Sequence, residues 1–168
     1  PARPRRRAVA DRPPVVIPER ESLDLLRAAG VAVTPSIAIE GHDPKAMLEP
    51  AAAAATELGW PVAVKLDAPG LAHKSDEGGV VLGVANRKAL ESALRQVLAA
   101  GRGHDPDGVL IQPMAPAGVE VIAGGRRDAV FGPAVLVGLG GILAEVLDDV
   151  AVLLAPVTVD EVLSRLDL

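Results

Sequence analysis

The chain has 168 residues, 49% of them hydrophobic and 23% charged, with a net charge of -5 at pH 7; that composition fits one globular domain or two small lobes. Aromatic residues are 1% and the balance is acidic, which removes both the basic face of a nucleic-acid binder and the stacking platform of a single-strand binder. The absence of cysteine excludes disulfides, thiolate zinc sites, iron–sulfur clusters and cysteine nucleophiles.

No apolar run reaches the roughly 18 to 20 residues of a membrane span. The sequence therefore points to a cytoplasmic protein with no membrane or nucleic-acid partner. Residues 1–17 are rich in Arg and Pro, lack the apolar stretch of a secretory signal, and read as a linker. The first residue is not Met, which suggests a piece of a longer protein.

Pro18 can open a helix, where its missing N–H is not needed. Leu23, Leu26 and Ala29 line one side of that helix, and Gly30 is placed to end it. Residues 31–33 and 37–39 alternate like strand on either side of Pro35. Asp43-Pro44 is an N-cap followed by a first-turn proline, and an Ala-rich helix runs on to Leu58, with Pro50 forcing a kink or a fresh start. Gly59 closes it, and residues 61–66 form a short apolar strand that contains Lys65.

A strand over 80–84 follows, then a helix capped by Asn86 with Leu90, Leu94, Val97 and Leu98 on one face. His104 sits in a turn, and 109–112 is a buried strand. Residues 113–118 carry Pro113 and Pro116 and read as a stiff linker. Residues 119–137 read as a hairpin: a strand over 119–123 holding Glu120, a tight turn at 124–128, and a strand over 133–137. Gly138, Gly140 and Gly141 follow. Glu145, Asp148 and Asp149 stand among apolar residues, where they are either a solvated strand end or oxygen ligands for Mg2+. A strand over 150–154 and a Thr158–Glu161 capping box complete the chain. Strands and helices mix without strict βαβ repeats, which argues an α+β fold or two such lobes.

The segment that connects the strand of Lys65 to the strand over 80–84 is polar and carries His73, Lys74, Ser75, Asp76, Glu77, Gly78 and Gly79. A polar loop of that length between buried strands is characteristically functional. A strand lysine beside such a loop is either a solvated edge cation or a phosphate ligand. An imidazole near its free pKa of about 6.5 can act as nucleophile or base, and Asp76 or Glu77 could orient it; the alternative is an exposed loop histidine. His42 and His104 read as surface residues. Glu120 could bind a sugar hydroxyl or pair with Arg126 or Arg127.

The blocks PVAVK, HKSDEGGVVLGV, VLIQPMAPAGVEVI and RRDAVFGPAVLVGLGGILAEVLDDV together resemble the ATP-grasp domain of the ADP-forming acyl-CoA synthetases, relatives of succinyl-CoA synthetase. The likeness runs from about Glu19 to the end. It implies a two-lobed α+β ATP-grasp fold, truncated at its C-terminus, over 18–168, with lobes of about 18–111 and 119–168 and a hinge at 112–118. By this resemblance Lys65 contacts nucleotide phosphates, Gln112 to Met114 lie against adenine, and Glu120 is a nucleotide-side acid. His73 is the phosphorylated residue of a swinging loop formed with Lys74, Ser75, Asp76, Gly78 and Gly79. The implied cofactors are ATP or ADP and Mg2+, and the implied partners are CoA-binding and ligase domains of the same protein or a partner subunit, with acyl-CoA as substrate. The family's usual magnesium ligands would lie beyond Leu168, and the 168-residue piece alone would turn over nothing. A related possibility is the synthetase-like regulatory module of a protein lysine acetyltransferase; another is a nucleotide-binding module without catalysis.

Overall fold

The computed structural model describes residues 16–69, 77–140 and 150–165. The chain divides into two compact units, Pro1–Ala115 and Pro116–Leu168. His73, Lys74, Ser75, Asp76, Gly141, Glu145, Asp148 and Asp149 lie outside the described residues.

In the first unit the order is α1 (Glu19–Ala28), β1 (Ile37–Glu40), α2 (Pro44–Leu58), β2 (Val62–Asp67), β3 (Val80–Val84), α3 (Arg87–Ala100) and β4 (Gly108–Pro113). The four strands make one sheet in the order β1-β4-β2-β3, and every neighbouring pair is antiparallel. Local signals set the helix ends. Asp43 accepts a hydrogen bond from the Lys45 amide, and Asn86 accepts one from the Ala89 amide, each satisfying a donor that the first turn leaves without a partner. Gly30 takes a positive φ just past α1, as a left-handed cap requires.

One face of the sheet carries Val62, Val64 and Leu66 of β2 and Val109 and Ile111 of β4. Against it pack Met47, Ala51, Ala54 and Ala55 of α2 and Leu90, Ala93, Leu94 and Val97 of α3. The small alanines of α2 let that helix approach closely, and the core needs no large aromatic side chain. Because successive strand residues point to opposite faces, Ala63, Lys65 and Asp67 face the other way, with Leu110 and Gln112 beside them. Onto that second face come Glu19 and Arg20 of α1. No residue of α1 is buried, so these polar contacts fasten it rather than an apolar stripe.

The second unit contains β5 (Val121–Asp128), β6 (Gly132–Leu139), β7 (Val150–Leu154) and a short helix, α4 (Val159–Leu163). The strands form an antiparallel sheet in the order β5-β6-β7. Thr158 and Glu161 make the reciprocal capping box expected of their spacing.

Four sequence expectations require correction. Residues 31–33 form no strand; only 37–40 pairs, with β4. Of the two readings of Pro50, a kink or a fresh start, the fresh start is excluded, since α2 is one element from Pro44 to Leu58 with Pro50 inside it. Residues 124–128 are not the hairpin turn but the last half of β5, paired with 132–136. The turn falls at 129–131, where the Asp128 carboxylate accepts from the Val130 and Phe131 amides, an aspartate closing a turn on its own downstream backbone. Finally, β5 begins at Val121, so Glu120 precedes the strand instead of standing within it.

Candidate functional site

β2 and β4 bring two of the expected residues together. In their register Lys65 stands opposite Leu110 and Ala63 opposite Gln112, which puts Lys65 and Gln112 on one face as diagonal neighbours. Both side chains reach the same oxygen of Glu19. The Lys65 ammonium lies 2.8 Å from Glu19 Oε1, and Gln112 Nε2 donates to that atom at 3.2 Å. The Lys65 and Glu19 side chains are each 26% exposed, and Gln112 is 4% exposed. The result is a partly desolvated cluster in which one cation and one amide converge on an anionic oxygen.

The residue beside Glu19 fixes the same turn of α1. Arg20 lies 3.7 Å from Asp67, 3.5 Å from Glu40 and 3.9 Å from Asp107. Asp67 is buried and follows Lys65 by two places, so it shares the Lys65 face of β2. A carboxylate in the first helical turn also gains from the N-terminal end of the helix dipole.

The described ends of the segment between β2 and β3 adjoin this face. Leu66 donates its amide to the Gly79 carbonyl at 2.7 Å, and Val80 pairs with Lys65. Gly78 has φ +76, a backbone state that suits glycine. Glu77 does not leave its partner to chance: its carboxylate lies 3.2 Å from His104 Nε2. His42 and His104 are both exposed, as their turns led one to expect. Met114 stands just past β4, where its Sδ accepts from the Gly83 amide at 3.4 Å and its own amide donates to the Pro61 carbonyl.

Glu120 belongs to the second unit. Its carbonyl accepts the Gly140 amide at 2.7 Å, and a Cβ on Gly140 would come within 3.1 Å of the Glu120 backbone. Arg126 and Arg127 lie toward the opposite end of β5. The five steps of strand from Val121 to Arg126 span about 17 Å, too far for the suggested ion pair with Glu120.

An open hollow of about 600 Å³ is lined in part by His42, Arg95, Leu98 and Arg102. None of the expected site residues borders it. Among the described residues no group of three or more His, Asp or Glu is arranged to hold a metal ion. Sequence reading missed Glu19 altogether: its partners are 46 and 93 positions away, and no local motif links them.

The chain matches a known family. The ATP-grasp domain profile matches residues 8–166. The beta subunit of an ADP-forming acetate–CoA ligase I from Pyrococcus furiosus is 37% identical over 164 residues, which are 95% of this chain and 67% of that subunit. An acetyl-coenzyme A synthetase 1 from Ca. Korarchaeum cryptofilum, solved with coenzyme A and Ca-AMPCP, superposes with a TM-score of 0.77 at 30% identity, covering 89% of this chain and 64% of its own. Another structure of that synthetase, with a phosphorylated phosphohistidine segment, gives a TM-score of 0.71 at 28% identity, covering 90% of this chain and 64% of its own. The chain thus spans about two thirds of the length of these relatives. It belongs to the ATP-grasp domain family, in the branch represented by the ADP-forming acyl-CoA synthetases.

Proposed function

We propose that the chain is the nucleotide-binding and phosphohistidine-relay part of an ADP-forming acyl-CoA synthetase. The overall reaction interconverts acyl-CoA, phosphate and ADP with acid, CoA and ATP. The observation that carries this reading is the convergence of Lys65 and Gln112 on one anionic oxygen, in a chain whose family relatives include acetate–CoA ligases. The Lys65 ammonium fits a nucleotide's phosphate: it already accommodates a carboxylate oxygen, whose negative charge a phosphoryl oxygen shares, and Gln112 stands beside it on the same face.

In this reading Lys65 holds phosphate oxygens of ATP or ADP, and Gln112 and Met114 line the base. Glu120 is a nucleotide-side acid, as the family likeness implies. His73 takes the phosphoryl group from an acyl phosphate. A P–N bond forms on the imidazole as the bond from phosphorus to the acyl oxygen breaks, and the acid's carboxylate leaves with that electron pair. In the return step the P–N bond breaks and His73 releases the phosphoryl group to the terminal phosphate oxygen of ADP. Lys74, Ser75, Asp76, Gly78 and Gly79 supply the loop around it. Mg2+ neutralises phosphate charge when bound, a contribution that phosphoryl transfer requires more than covalent help. Support for the relay comes from the HKSD sequence itself and from the relative whose histidine segment is phosphorylated.

The reading requires CoA-binding and ligase domains, in the same protein or in a partner subunit, to generate the acyl phosphate. The test is transfer of label from γ-labelled ATP, in the presence of Mg2+, to the longer protein or complex that includes those domains. Label is expected on His73 and is lost in His73→Ala, while nucleotide binding persists. Label that survives in His73→Ala refutes the assignment. Nucleotide binding with no labelled histidine supports instead a sensing module without catalysis.

A further inference from the structure

We infer that Glu19 is a positioning residue for the nucleotide site: its carboxylate orients the Lys65 ammonium and the Gln112 amide before any ligand arrives. This rests on the nucleotide reading of Lys65 and Gln112 given above. A lysine has four rotatable side-chain bonds, and holding it in one rotamer has a substantial entropic cost. The 2.8 Å contact with Glu19 meets that cost in the folded chain rather than at binding, which is how preorganisation strengthens affinity. The amide gains in a second way. Gln112 is buried, where its donors need partners. Donation from Nε2 to Glu19 directs the nitrogen end of the amide toward α1 and fixes which group it presents on the other side.

Glu19 is itself held. Arg20, the next residue, lies close to Asp67, Glu40 and Asp107, so two consecutive residues of opposite charge dock α1 on the sheet. That arrangement makes the Glu19 carboxylate a fixed reference point on an element that buries none of its residues.

A second effect opposes the first, since a carboxylate repels an incoming phosphate. Two features limit it. The ammonium has three donors and Glu19 receives one of them, which leaves others for a ligand. Glu19 is also partly open to water, and repulsion between groups in contact with water is strongly screened. Orientation of the two donors therefore prevails over repulsion.

The test measures the affinity of the full 168-residue chain for ADP with Mg2+ by titration calorimetry. Glu19→Ala is expected to weaken binding about tenfold, the effect of one charge-assisted contact. Glu19→Gln retains an acceptor oxygen and is expected to restore most of that loss. In a Lys65→Ala background, Glu19→Ala is expected to add little, because the residue acts through its partner. Glu21→Gln, a neutralised neighbour in the same exposed turn, controls for loss of charge in α1 and leaves affinity unchanged. Unchanged or tighter binding in Glu19→Ala, with Lys65→Ala weakened, overturns the inference and leaves the nucleotide reading standing. Equal losses in Glu19→Ala and Glu19→Gln also overturn it. Failure of the unaltered chain to bind ADP overturns both.

Discussion

Lys65 and Gln112 stand on adjacent strands, diagonal to one another in the β2–β4 register, and each gives a hydrogen bond to the same Glu19 oxygen. The opposite face of those strands is wholly apolar, with Val64, Ile111 and Val109 buried against α2 and α3. One sheet thus separates a packing face from a chemical face. Substitutions on the two faces should have separable consequences.

Lys65→Ala tests the chemical face. Removing one charged hydrogen-bonded contact should weaken ATP or ADP binding by about 1.5 to 3 kcal/mol. The fold should persist, because Lys65 is partly exposed and the core cluster does not include it. Isothermal calorimetry on the folded variant measures the loss, and unchanged affinity would reject the role of Lys65.

Leu94→Ala tests the packing face. Leu94 is fully buried between α3 and the sheet, so truncation leaves a cavity and should cost about 2 to 5 kcal/mol of stability. Urea unfolding followed by circular dichroism measures it. Below the unfolding transition, the nucleotide affinity of this variant should match that of the unaltered chain, the reverse of the Lys65→Ala pattern. A large affinity loss in well-folded Leu94→Ala would show that the two faces are not separable.

Gly108→Ala tests the seam between β1 and β4. Gly108 has φ +155, and a Cβ there would fall 2.1 Å from the Ile39 carbonyl oxygen. No rotamer can relieve a clash between Cβ and backbone, so β1 must shift away from its partner. The expected cost is about 2 to 4 kcal/mol, in the range of severe backbone strain. Unfolding midpoints measure it, and a variant as stable as the unaltered chain would contradict the register of Glu40 with Gly108.

Features legible in the sequence are those decided within a few residues. The Asn86 cap, the Asp43-Pro44 start and the Thr158–Glu161 box each depend on a side chain meeting a backbone group up to three positions away. The family blocks were legible for a related reason: they are continuous. Glu19 was not, because only folding brings it to Lys65 and Gln112. The hairpin turn was misplaced because Gly124 and Gly125 invite a turn, while Val130 and Phe131 invite strand. Pairing of 121–128 with 132–139 overrides both preferences, and Asp128 supplies the turn chemistry.

The link between α2 and α3 carries a pH dependence whose sign is fixed. Arg87 Nη1 donates to Glu49 Oε2 at 2.8 Å, and Nη2 donates to the other carboxylate oxygen. Hydrogen bonding to Arg87 holds the Glu49 carboxyl below its ordinary value, with the guanidinium charge adding to it. A carboxylate whose pKa is depressed by folding contributes stability that is fully present above its unfolded pKa. That contribution disappears as pH falls through the lower, folded pKa. Glu49→Gln should therefore lower the urea midpoint at pH 7 and leave it unchanged at a pH well below the carboxylate range, where the unaltered chain has also lost the charge. The pair is exposed, so the effect at pH 7 should be small and should shrink further with added salt. A midpoint difference that persists at low pH, or that grows with salt, would show that Glu49 stabilises the helix pair by something other than its charge.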